Sequence, residues 1–227
     1  MFVSSGYPQA KKIKKEIQDS FIPGKNGTLV SDSAQTIKNF DRNGNVVEET
    51  ETSIWEVYGK MVAYTQRHFY NSAGVLDSTV MFIDEKYSMK LEPQYDSTGR
   101  ESVVQEINSE RNPAFRSVNK YNALNQKSRV EMSDPKGNPY NFKNYKYDTH
   151  GNLIEESGSE RGEPRYRWVY KYDKRNRMIE RRDYSGNGGY LRKHRYEYNK
   201  DNRLLKEIAL TPKGNVERIV KYRYEFY

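Results

Sequence analysis

Tyr145-Lys-Tyr-Asp-Thr-His-Gly-Asn-Leu-Ile-Glu-Glu156 reads as strand, tight turn, strand. Side chains on a strand alternate between faces, so Tyr145 and Tyr147 share one. Asp148 suits the first position of a type I turn, where its side chain accepts a hydrogen bond from backbone two residues on. Gly151 stands where such a turn closes into a bulge through a left-handed residue, a conformation glycine adopts without steric cost. Leu153 and Ile154 open the outgoing strand.

The same register recurs along the chain. The aromatic residues just before the turns are Phe40, Tyr70, Tyr95, Tyr121, Tyr147, Tyr172, Tyr198 and Tyr224, spaced by 30, 25, 26, 26, 25, 26 and 26 residues. The first seven are each followed by Asp or Asn: Asp41, Asn71, Asp96, Asn122, Asp148, Asp173 and Asn199. Three positions further on stand Gly44, Gly74, Gly99, Asn125, Gly151, Asn176 and Asn202, always Gly or Asn. Turn geometry explains both preferences, and the recurrence marks a repeat architecture. Tyr7 departs from both turn positions and reads as a degenerate first unit. A second set of loops, among them Asp134–Asn138, Gly158–Gly162, Ser185–Gly189 and Thr211–Asn215, reads as turns on the opposite edge.

The expected fold is all-β. Repeated antiparallel β-hairpins with a period of about 26 residues form one large twisted, curled sheet or partial barrel. Residues 1–39 form an irregular N-terminal unit or cap, and residues 40–227 a single continuous repeat domain. About eight units of two strands, at ~4.8 Å per strand, give a sheet roughly 75 Å wide, which must twist, curl or close. The tyrosines line the inner, more buried face. Val216–Tyr227 is expected as an exposed edge, with Lys221 and Arg223 guarding it.

Composition fits a thin β structure. Only 34% of residues are hydrophobic, and 20 are tyrosines, so the buried surface is aromatic rather than aliphatic. With no cysteine there is no disulfide framework and no thiolate metal site. No apolar run reaches the ~18 residues of a transmembrane helix. The N-terminus carries no secretory apolar segment, and the expected setting is an exported protein (periplasm, outer surface or secreted) whose signal is not in this sequence. Residues 143–227 hold 21 Lys/Arg against 13 Asp/Glu, which accounts for the whole net charge of +8.

Tyr-x-Tyr-Asp-x-x-Gly-Asn-Leu-Ile, as at Tyr145–Ile154, resembles the YD repeat of RHS-type proteins and of stand-alone bacterial surface proteins. The resemblance covers roughly Phe40 to Tyr227. It implies a bacterial origin, a surface or envelope setting, and sugar or partner binding. It carries over no catalytic residues. The chain departs from the larger members in lacking a self-cleaving core and in its longer period.

No constellation points to catalysis, and no cofactor is implied. His68 and His194 fall on the anchor face, and His150 falls in a turn. No histidine spacing suits a metal. Asp41-Arg-Asn-Gly-Asn45 resembles the start of a calcium loop, but the same positions recur as hairpin turns. Glu48, Glu49, Glu155, Glu156 and Glu180 read as members of cross-strand ion pairs. The candidate ligand-binding residues are Trp168, Tyr166, Tyr170, Arg165, Arg167 and His194, an aromatic and basic group. Alternation puts Tyr166, Trp168, Tyr170 and Tyr172 on one face and Arg165, Arg167 and Lys171 on the other. The expected function is a non-enzymatic repeat protein that presents an extended surface for binding or structure in a bacterial envelope or extracellular setting. Its partner is a polysaccharide or another protein. The alternative is a carbohydrate-binding module using the C-terminal repeats, and nucleic acid ranks last.

Overall fold

The computed structural model describes residues 12–55 and 60–227. The chain forms sixteen strands: β1 Ile13–Pro23, β2 Leu29–Phe40, β3 Val46–Trp55, β4 Lys60–Tyr70, β5 Leu76–Ile83, β6 Lys86–Tyr95, β7 Glu101–Ile107 and β8 Pro113–Tyr121, then β9 Lys127–Ser133, β10 Pro139–Tyr147, β11 Leu153–Glu160, β12 Glu163–Tyr172, β13 Met178–Ser185, β14 Tyr190–Tyr198, β15 Leu204–Leu210 and β16 Val216–Phe226. Each strand pairs antiparallel with its sequence neighbours, and β1 pairs with β16 to close an up-and-down barrel. Tyr7, read as a degenerate first anchor, lies outside the described residues.

Closure corrects two expectations. The sheet is a closed barrel, not an open or partial one. Nor is β16 an exposed edge, because Tyr224 pairs with Glu16 and Tyr222 with Gln18 on β1. Residues 13–23 carry no tyrosine anchor and no turn signature, so their role is not visible from the repeat pattern. They supply the outgoing strand that the last hairpin lacks. Closure removes every sheet edge, which is how such folds avoid edge-to-edge association.

The turns are built as their residues dictate. The Gly151 amide donates to the Asp148 carbonyl at 3.1 Å, and the Asp148 amide donates to the Asn152 carbonyl at 2.9 Å. Asp148 Oδ1 accepts from the amides of His150 and Asn152, both at 2.9 Å. The residue at the bulge is left-handed each time, with φ 86° at Gly151 and 63°, 56° and 61° at Asn125, Asn176 and Asn202. Asp41 makes the same bonds to Asn43 and Asn45, so that segment is a turn as expected.

Each anchor tyrosine ties one hairpin to the previous one. Its hydroxyl donates to the carbonyl of the first residue of the preceding strand: Tyr70 to Val46, Tyr95 to Leu76, Tyr121 to Glu101, Tyr147 to Lys127, Tyr172 to Leu153, Tyr198 to Met178 and Tyr224 to Leu204, at 2.7–2.9 Å. These residues precede the ladder to the tyrosine's own strand, so the hydroxyl takes the place of a ladder partner on that side.

The two faces of the wall differ in chemistry. One cavity gathers Met81, Leu91, Glu106, Phe115, Met132 and Tyr145 from β5 through β10. Another gathers residues of β13 through β16 and of β1. A surface that collects side chains from five or six consecutive strands of a closed barrel is its concave side, so the anchor face is the lumen. The opposite face carries ion pairs. Glu155 bridges Lys146 and Arg167, Glu180 bridges Lys171 and Arg182, Glu131 bridges Lys120 and Arg129, and Arg67–Glu48, Lys206–Glu197 and Arg223–Asp19 continue the series. Glu48, Glu155 and Glu180 thus form the expected cross-strand pairs. Close backbone contact runs between hydrogen-bonded neighbours all the way round the ring. No large side chain among the described residues is fully buried.

Candidate ligand site in the barrel lumen

Register brings together residues that are far apart in sequence. One inward row across the sheet is Tyr145, Glu156, Trp168, Asp183 and Arg192. The next is Tyr170, Arg181, His194, Ala209 and Arg218. The third is Tyr196, Glu207, Val220 and Ser20. Where the rows meet they border a cavity of 510 Å³ lined by Arg181, Arg192, His194, Glu207, Glu217 and Arg218, with Ile22, Ala209 and Val220 as its apolar part.

His194 is the centre of this site, and its side chain is only 6% exposed. Nδ1 lies 2.6 Å from Glu207 Oε1. Nε2 lies 3.0 Å from Asp183 Oδ2 and 2.9 Å from the Arg181 guanidinium. Arg181 in turn donates to both Asp183 oxygens, at 2.8 and 3.2 Å. The Tyr222 hydroxyl reaches the other oxygen of Glu207 at 3.4 Å. A neutral imidazole with its proton on Nδ1 donates to Glu207 and accepts from Arg181. An imidazolium donates to Glu207 and Asp183 together.

The electrostatics shift the balance toward the second state, although the Arg181 charge opposes it. Burial works to lower the His194 pKa, but the hydrogen bonds to Asp183 and Glu207 outweigh it and raise the value above 6.5. Asp183 is pulled the other way: burial opposes ionisation, yet the bonds from His194 and Arg181 hold its pKa below the usual carboxylate value. Burial pushes the hydroxyls of Tyr166, Tyr170, Tyr196 and Tyr222 far up, and those of Tyr145 and Tyr224 to about 12. The lumenal tyrosines are therefore neutral donors. Among the described residues, no group of three acidic or histidine side chains is placed to hold a metal ion.

Of the residues singled out from the sequence, Trp168, Tyr166, Tyr170 and His194 share the lumen. The Trp168 and Tyr166 rings are 4.5 Å apart, and the Arg181 guanidinium sits 5.1 Å from the Trp168 ring. Tyr166 donates to Glu156 at 2.7 Å. Arg165 and Arg167 are on the outside, where Arg165 pairs with Glu160 and Arg167 with Glu155. Arg167 also covers the Tyr184 ring at 4.5 Å. His68 faces the lumen elsewhere, bonded to Thr79 at 2.9 Å, and burial lowers its pKa. Sequence reading missed Arg181, Asp183 and Glu207. One signal was available: Glu180-Arg-Arg-Asp183 is four charges in a row on a strand, so alternation sends two of them inward.

No family model and no curated relative matches this chain. A solved porin-like protein from Bacteroides uniformis superposes with a TM-score of 0.63 at 11% identity, covering 94% of this chain and 96% of that one. The chain therefore has the fold of that porin-like protein. A TcdB2–TccC3–Cdc42 structure (TM-score 0.40, 17% identity, 84% of this chain and 10% of that one) is too distant to bear on the chain. The same is true of a putative outer membrane lipoprotein-sorting protein domain from Vibrio parahaemolyticus (TM-score 0.32, 8% identity, 93% and 85%).

The resemblance to YD repeats is thereby corrected. The chain closes as a barrel of the porin-like kind, and no repeat family matches it. The motif misleads for a physical reason. Asp or Asn followed three residues later by Gly or Asn is what any type I turn with a bulge selects, whatever the family.

Proposed function

We propose that this protein is a non-enzymatic binding barrel of the bacterial envelope that holds a neutral saccharide in its lumen. The observation that carries the reading is the pairing of charge around the 510 Å³ cavity. Arg181 pairs with Asp183, Arg192 with Glu217 through two bonds of 2.7 and 2.8 Å, and Arg218 with Asp32 at 3.4 Å, while His194 lies between Asp183 and Glu207. Each charge has its partner, so the cavity offers fixed donors and acceptors with little net field. That suits hydroxyl groups better than an ion. Ile22, Ala209 and Val220 give an apolar patch for the C–H face of a sugar ring, and cavities of about 300–1,000 Å³ are the usual size for small ligands.

A binding role is supported over catalysis because both ring nitrogens of His194 are engaged by protein groups, which leaves neither free to move a substrate proton. The ion pairs on the outer wall support a barrel bathed in water, since a barrel that spans a membrane needs an outward apolar band about 25 Å tall. Likeness in fold to a porin-like protein is in keeping with a bacterial envelope setting.

The test is a panel of neutral oligosaccharides titrated into the Trp55→Phe variant, whose fluorescence then reports Trp168 alone. A hit should quench or shift that emission and hold its affinity between low and high salt, because no net charge is neutralised. Arg192→Ala should weaken it. If no neutral saccharide binds, or if binding falls steeply with salt as for a polyanion, the reading is wrong.

A further inference from the structure

The other half of the lumen is chemically distinct. A cavity of 360 Å³ spans β5 to β10, and Met81, Met89, Leu91, Phe115 and Met132 are the large apolar side chains of its wall. Three of the six methionines in the chain meet here. Methionine surfaces adapt to flexible apolar chains of varied shape.

Two acceptors on this part of the wall lack partners, one lining the cavity and the other beside it. Glu106 lines it, yet its carboxylate has no hydrogen bond or ion pair among the described residues. Glu101, which lines the same cavity, accepts from Lys127 at 3.1 Å and from Asn119 at 2.8 Å. The second group is Asn141 Oδ1, a buried side-chain oxygen without a donor. Asn141 is paired with Met132 in the ladder and, two residues from Lys143, points to the same inward face. An unpaired anion and a buried acceptor without a donor are both costly beside apolar walls. Burial accordingly raises the Glu106 pKa. Close by, the Phe115 and Tyr140 rings pack at 5.3 Å, and burial, with a smaller contribution from the Glu106 charge, raises the Tyr140 pKa. Lys143 also lines the cavity, from β10, and is exposed, but it forms no ion pair with Glu106.

From these observations we infer that the β5–β10 half of the lumen binds an amphiphile carrying a primary ammonium group. The ammonium donates to Glu106, the acceptor that lines the cavity, and packs against Phe115, which adds a cation–π contact. The alkyl part lies on the methionine wall. This site shares no lining residue with the proposed saccharide site, so the two readings stand or fall separately.

Decylammonium, decanol and decyl sulfate, each below its micelle concentration, are the probes for calorimetric titration at neutral pH. Decylammonium should bind one per chain and more tightly than either analogue. Glu106→Gln should weaken decylammonium about tenfold or more, the loss of one charge-assisted contact, and leave decanol unchanged. Without ligand, Glu106→Gln should unfold at the same or a higher urea concentration, because it removes an uncompensated charge. The inference is overturned if the wild type does not bind decylammonium, if decyl sulfate binds as tightly, or if the variant binds decylammonium equally well. A lower urea midpoint for the variant would reveal a protein partner for Glu106 and would also overturn it.

Discussion

The hydroxyl of Tyr227 donates to the carbonyl of Phe40. Phe40 is the one anchor without a hydroxyl, and it stands on β2, next to the seam where β16 meets β1. The Tyr227 amide also donates to the Lys12 carbonyl at 3.2 Å, and the Arg42 guanidinium lies 5.8 Å from the Tyr227 ring. The last residue of the chain thus fastens both ends of the repeat across the seam. Tyr227→Phe should cost about 0.5–1.5 kcal/mol, the net contribution of one hydrogen bond. A fall in urea midpoint with unchanged slope would show this, and no fall would show that the tie is not formed.

Removal of β1 should do much more. Without residues 12–23, β2 and β16 become sheet edges with unpaired backbone groups. Open edges pair with other chains. The truncated protein should therefore elute as oligomers or aggregate, while the full chain does not form such oligomers through these strands. Size-exclusion chromatography with light scattering checks this.

The turn positions make a signed pair of predictions. Gly151 holds φ 86° and Asn125 holds φ 63° at equivalent places. Gly151→Ala forces an L side chain into the left-handed region and should cost roughly 1–2 kcal/mol. The cost is conformational, since a Cβ at Gly151 would meet only the Gln126 amide, at 3.4 Å. Asn125→Gly relieves the same strain but frees the unfolded chain, so it should change stability by well under ~1 kcal/mol in either direction. Denaturant melts of the two variants should separate them clearly.

These turns were the most legible part of the sequence, because a local rule decides them. The Asp148 and Gly151 pattern gives the hairpins, the strand ends and the inward direction of the tyrosines. Closure is not local. Ile17 pairs with Arg223 across nearly the whole chain, and neither residue carries a mark of the other. The site divides along the same line. Trp168, Tyr166, Tyr170 and His194 could be put on one face by counting in twos. That Arg181 lies against His194 could not, because register across the sheet depends on bulges such as those at Lys171/Tyr172 and Glu197/Tyr198.

The His194 cluster should make stability depend on pH in a defined direction. The groups facing the imidazole are Asp183 and Arg181 from β13 and Glu207 from β15. In the folded chain the His194 pKa is raised above its unfolded value of 6.5. The folded state therefore binds this proton more tightly than the unfolded one, and stability rises with proton uptake. The contribution is fully present below pH 6.5 and is lost as pH climbs through the raised folded value. Asp183 acts in a separate window. Its pKa is lowered from 3.8, so its contribution is present above 3.8 and is lost as pH falls through the lower folded value. Between pH 6 and 9, then, the urea midpoint of the wild type should decline on account of His194. His194→Gln keeps an amide donor near Glu207 but cannot take up a proton, so its midpoint should lie below that of the wild type at pH 6. It should also change less between pH 6 and 9. Equal slopes for the two proteins over this range would mean that His194 is neutral throughout, with its Nε2 accepting from Arg181 instead of donating to Asp183.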